Sequence, residues 1–162
     1  MHLADKLTRA AFLMLMFTLA AGCGQGSGEE APDSGTGGEE SAPSMAVRLV
    51  EPADGAVIDG SSVRIVLEVE GLEIVPAGTV QARSGHHHLL VNTGLTPAGQ
   101  PIPATPGVHI HLGQAQTEYE LTDLEPGDYT VIAVVGDAVH VPLDPPVVDT
   151  VTFTVGGGGS PK

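Results

Sequence analysis

Six of the seven histidines in this 162-residue chain stand at positions 86, 87, 88, 109, 111 and 140. Imidazole is the commonest metal-ligating side chain and changes charge near neutral pH. Such a set can therefore hold a transition metal, sense pH, or act as ordinary polar residues that hydrogen-bond to backbone. The triplet His86-His87-His88 runs directly into Leu89-Leu90-Val91, an apolar stretch in mid-chain, so it belongs to the fold and is no terminal tag.

Strand geometry sorts these residues by face, because successive side chains point to opposite sides. In Val108-His109-Ile110-His111-Leu112 the apolar residues share one face, and His109 and His111 share the other. In His86-His87-His88-Leu89-Leu90-Val91 the face with His87, Leu89 and Val91 is the more apolar, so His87 is expected inside, bonded to backbone. His86 and His88 then lie together on the opposite face. Each His-x-His pair sets its Cβ atoms about 7 Å apart, a span that two rings can close onto one ion. If the two strands adjoin, three or four imidazoles converge into a set suited to zinc or copper.

A further ring can come from His140, in the Pro-rich loop Gly136-Asp137-Ala138-Val139-His140-Val141-Pro142-Leu143-Asp144-Pro145-Pro146. Asp137 or Asp144 can orient a ligand histidine from behind, as carboxylates commonly do around metal sites. The candidate metal ligands are therefore His86, His88, His109, His111 and His140. The plainer reading is that the histidines form a pH-responsive polar cluster, or fasten loops by hydrogen bonds.

Catalysis is less well supported. Ser84, His140 and Asp137 or Asp144 supply the residue types of a hydrolase triad, but no Gly-x-Ser-x-Gly elbow presents the serine. A metal-dependent activity needs an open coordination position, which spacing alone does not specify. The expectation is a binding protein and not an enzyme.

The elements that must position these residues are strands. Val63, Ile65, Leu67 and Val69 alternate with Arg64, Glu68 and Glu70, the pattern of a half-buried strand. Further strands are expected at 46–50, 79–83, 86–92, 108–112, 117–121, 129–135 and 147–155, with a Pro- and Gly-rich loop at 93–107. No segment carries a helical period. Leu124-Glu125-Pro126-Gly127-Asp128-Tyr129 resembles the tyrosine corner of immunoglobulin-like sandwiches, in which the hydroxyl returns to the turn backbone. The fold expected is all-β: an immunoglobulin- or fibronectin-like antiparallel β-sandwich of seven or eight strands over residues 45–155. Its core must be aliphatic, since tryptophan is absent and Phe153 is the one phenylalanine of that span.

The N-terminal stretch has a different character. Lys6 and Arg9 precede the apolar run Ala10 to Ala20, which is too short for a spanning helix and fits a secretory signal. The run ends in Leu19-Ala20-Ala21-Gly22-Cys23, which resembles a bacterial lipobox and makes Cys23 the acylated first residue of the mature chain. Cys23 is the sole cysteine, and lipidation accounts for an otherwise odd exported thiol. Residues 23–44, rich in Gly, Ser and Glu, read as a solvated linker, and residues 156–162 as a flexible tail.

Removing residues 1–22 discards Lys6, Arg9 and Asp5 and takes the formal charge from −14 to −15. That charge excludes nucleic acid as a partner. The expected partners are the membrane, through Cys23, and an envelope protein or polymer, with the domain itself monomeric. Gly24 after the cysteine favours the outer membrane in a two-membraned cell, and the cell surface otherwise.

One resemblance ties these motifs together. Gly85-His86-His87-His88-Leu89-Leu90-Val91, Gln100-Pro101-Ile102-Pro103, His109-Ile110-His111-Leu112-Gly113, Gln116-Thr117, Leu124-x-Pro126-Gly127, Gly136-Asp137, His140-x-Pro142 and Asp144-Pro145-Pro146-Val147 occur in order. The succession is similar to a bacterial family of exported proteins and lipoproteins, domain-of-unknown-function family 4399, over about residues 85–155. The resemblance implies the module and its export, and implies no activity. Leu143 departs from it, standing where the family pattern implies a second histidine after His140-x-Pro142.

Overall fold

The computed structural model of the chain describes residues 43–156. The expected signal segment, Cys23, most of the expected linker and the tail beyond Gly156 lie outside the described residues.

Nine strands and no helix occupy the described residues. They are β1 (Ala46–Glu51), β2 (Ala56–Asp59), β3 (Val63–Glu70), β4 (Glu73–Ile74), β5 (Ser84–Val91), β6 (His109–Leu112), β7 (Glu118–Leu121), β8 (Gly127–Gly136) and β9 (Val148–Gly156). One sheet has the order β1-β3-β7 and the other β2-β9-β8-β5, with both β4 and β6 on the far edge of β5. Two sheets with non-sequential strand order around one core make an immunoglobulin-like β-sandwich.

The expected alternation holds in β3, where Val63, Ile65 and Leu67 are buried and Arg64 and Glu68 are exposed. These side chains meet Leu89, Val91, Val131, Val151 and Phe153 from the facing sheet in a single aliphatic core. Tyr129 closes the expected corner: its hydroxyl donates to the Glu125 carbonyl at 2.9 Å, and its ring stacks on Phe153.

Two details differ from the sequence reading. The sandwich is not wholly antiparallel, because β2 runs parallel to β9 and β4 parallel to β5. Neither strand was expected, and a period of two carries no mark of pairing direction. Residues 79–83 were expected as a strand and instead form turns, with Thr79 N–H bonded to the Pro76 carbonyl and Arg83 at φ 53°.

The strand that matters most is β5, all eight of whose residues are buried. It is an inner strand, paired with β8 on one side and β6 on the other. Its inward residues Leu89 and Val91 join the main core, while Leu90 on the outer face packs with Val134 and Ile102. Ile102 belongs to the long 92–108 connection, which therefore folds over the outer face of the sheet. His86 and His88, further along the same outer face, are buried as well.

Candidate metal centre

Register brings the histidines together. Antiparallel pairing sets His88 opposite His111 and Leu90 opposite His109, and directly paired residues share a face. His86, His88, His109 and His111 therefore all point to the outer side. On the other flank His86 pairs with Gly136, the last residue of β8.

After Gly136 the chain turns sharply, and Asp137 organises the turn. Its backbone N–H donates to the Val141 carbonyl, and its own carbonyl accepts from His140 N–H at 3.0 Å. Its carboxylate Oδ1 accepts from the N–H groups of Val139 and Val141, each at 2.9 Å. These bonds flank His140 and hold it in the left-handed region at φ 68°. The His140 carbonyl then accepts from Ile102 N–H at 2.8 Å, joining the two loops.

Four rings meet as a result. Centroid separations are 4.7 Å for His86–His88, 4.9 Å for His86–His111 and His86–His140, 5.0 Å for His88–His111, 4.8 Å for His111–His140 and 5.6 Å for His88–His140. His86, His111 and His140 bring ligand atoms within 4.8 Å of one another, a group that could hold a metal ion. The Nε2 atoms of His86 and His88 lie 3.0 Å apart. His86 and His88 form a buried floor, His140 is half-buried and His111 is exposed.

Burial also sets their charge. The His86 ring is held down to about 4, first by burial and then by repulsion from His111 and His140. His88 is held down to about 3, by burial and then by its neighbours His86, His111, His140 and His109. His111 is lowered too, by burial and by His140. At neutral pH these rings are uncharged and carry free lone pairs, the state in which imidazole ligates a metal.

The remaining residues fall outside this set. His87 is fully buried on the inner face, and its Nδ1–H donates to the Gln116 carbonyl at 3.0 Å, the backbone partner expected for it. His109 lies one strand step from His111; among the described residues no close ring pair includes it, and its buried Nδ1 has no hydrogen-bond partner. Asp137 acts on His140 through backbone, whereas Asp144 is exposed, and none of the hydrogen bonds found among the described residues ties its carboxylate to a histidine. Leu143 packs against the main core, which gives the apolar residue at that position a structural part. The Ser84 hydroxyl donates to the Gln81 carbonyl at 2.9 Å.

Two glycines of the resemblance motifs, Gly113 and Gly136, carry no site role in the sequence reading. A Cβ on Gly113 would lie 2.5 Å from His111 Nε2, and one on Gly136 would lie 3.1 Å from His88 Nε2. Both stand where any side chain would intrude on the rings. Their sequence signals are those motifs and their position, each ending or following a strand of the cluster.

The fold and site together define an all-β sandwich with a histidine cluster on one covered sheet face. The chain belongs to the family described as Domain of unknown function (DUF4399), whose model matches residues 65–156. No curated protein matches the chain. A crystal structure of an engineered protein is similar at 17% identity and a TM-score of 0.40, covering 72% of this chain and 21% of that one. The chain thus spans about a fifth of that protein's length.

Proposed function

We propose that this chain is a lipid-anchored protein of the cell envelope whose sandwich domain binds one transition-metal ion, zinc or copper. The ligands are His86, His111 and His140, with His88 in the same ring set. The observation that carries the reading is the convergence of ligand atoms from two strands and a loop within 4.8 Å. Chance polar residues on a sheet have no reason to meet in this way. An all-imidazole set suits zinc and copper better than magnesium or calcium, which take oxygen ligands.

Export and anchoring rest on the signal-like segment and on Cys23. Acylation there would tie the domain to a membrane, with the 23–44 linker as tether. The charge of the mature chain argues against nucleic acid. Metal analysis of the purified full chain after exhaustive dialysis tests the binding reading, and a chain that retains neither zinc nor copper would refute it. Radiolabelled fatty acid incorporated by the wild type but not by Cys23→Ser tests the anchor.

One observation favours a second reading. The 3.0 Å contact between His86 and His88 can serve as a hydrogen bond between neutral rings, so the floor of the cluster can be satisfied without an ion. On that reading the domain is a structural module that docks an envelope protein or polymer, and its histidines fasten β5 to the covering loops. Chelator would then leave its melting temperature unchanged.

A further inference from the structure

On the metal-binding reading, the ring arrangement also bears on coordination geometry. With a metal–nitrogen distance of about 2.05 Å, each imidazole centroid stands about 3.2 Å from the metal. Four such rings at the corners of a tetrahedron have all six centroid separations near about 5.2 Å. A square-planar set, the geometry preferred by Cu(II), would give four separations near about 4.5 Å and two near about 6.4 Å. The six observed values run from 4.7 to 5.6 Å, and none approaches the long diagonal of a square.

One nitrogen pair joins His88 to the set of His86, His111 and His140, whose ligand atoms lie within 4.8 Å of one another. The edge of a ZnN4 tetrahedron is about 3.3 Å, and His86 Nε2 and His88 Nε2 lie 3.0 Å apart. His88 sits in the middle of the ring set. It is 2% exposed, packed against three other imidazoles, and has Gly136 in place of any side chain that would crowd its Nε2. Thiolate or thioether ligands, which would select Cu(I), are not among the converging side chains.

We infer that His88 is the fourth ligand and that the site is a closed tetrahedral zinc site, stapling the 137–143 loop to β5 and β6. This rests on the metal-binding reading above and sharpens it. Four protein ligands leave no position for water or substrate, so the ion's part is structural. It ties together segments far apart in sequence: the inner strand β5, the edge strand β6, and the loop carrying His140, to which the 92–108 cover is bonded through Ile102. Removal of the ion should therefore loosen the outer cover before the sandwich core.

Cobalt(II) substituted for zinc in the full chain provides the test. The expected result is the intense visible absorption of four-coordinate cobalt, unchanged by added azide. His88→Ala should weaken zinc binding by more than about a hundredfold in competition with a chelating dye, beyond the usual loss for an outer-shell partner. His109→Ala should keep zinc affinity within a few-fold of wild type. Melting of the metal-free variants shows whether they fold, and if His88→Ala does not, the wild-type cobalt spectrum decides alone. Weak five- or six-coordinate bands, a spectrum shifted by azide, or wild-type affinity in His88→Ala would overturn the fourth-ligand assignment while leaving metal binding intact. Failure of the wild type to bind either ion would overturn both.

Discussion

His88 and His111 are direct partners across the β5–β6 ladder, and their rings stack with centroids 5.0 Å apart and 29° between planes. This pairing is the hinge of the site, because register in a sheet is all-or-none for side-chain direction. A slip of one residue would turn His111 toward the core and bring Ile110 or Leu112 outward. The apolar residues of β6 thus fix the position of the His111 ring.

The two histidines of β6 should therefore behave differently. His111→Ala removes a ring from the cluster and should cost more than about a hundredfold in zinc affinity, whereas His109→Ala should cost little. Dye competition on the two variants side by side measures this. Equal losses would mean that the cluster is centred further along the strand than its ring distances indicate.

Asp137 should matter through geometry rather than contact. Asp137→Ala deletes both hydrogen bonds that flank His140, and should destabilise the domain by about 2 kcal/mol, given the strength of bonds to charged acceptors. Zinc affinity should fall about 10- to 100-fold, as for other outer-shell changes. Asp137→Asn keeps an acceptor and should recover much of both. Urea melts and zinc competition read the two effects separately.

The glycine under His111 offers a test that removes no ligand. Gly113 is not in the left-handed region, so alanine suits its backbone, but the new Cβ would collide with the ring. Gly113→Ala should lower zinc affinity by at least about tenfold while moving the melting temperature of the metal-free chain by only a few degrees. Unchanged affinity would show that the ring has room to swing aside.

The metal-free domain should lose stability in mild acid. His86 and His88 titrate at about 4 and about 3 when folded, below the ordinary value of 6.5. Their folded values are depressed, so the unfolded chain binds more protons through this window. Stability is then complete above about pH 6.5 and falls as pH drops toward 4, by at most about 1.4 kcal/mol per pH unit for each ring. Melts of the chelator-treated chain between pH 7 and pH 5, above the main carboxylate range, isolate the effect. A flat profile would mean that the two rings are not held neutral by burial.

Much of this arrangement was legible in the sequence, because a period of two assigns faces without further information. It placed His86 with His88, His109 with His111, and His87 inside, and the turn before Tyr129 marked the sandwich. Pairing register was not legible, and register decides that His111 faces His88 while His109 faces Leu90. The burial of His86 and His88 also escaped, since the rings packed on them, His111 and His140, arrive from another strand and from a loop with no period of its own. Asp137 or Asp144 was expected to orient a ligand histidine; that Asp137 caps the left-handed turn around His140 through two backbone N–H groups appears only in three dimensions.

The most direct test of the central claim is the metal content of the full chain, purified without added metal, loaded with zinc, and dialysed exhaustively. The account predicts one zinc per chain, and a melting temperature that falls when chelator strips the ion. A metal-free chain whose melting temperature ignores both zinc and chelator would contradict it, leaving the four rings as a neutral hydrogen-bonded fastening between β5 and its cover.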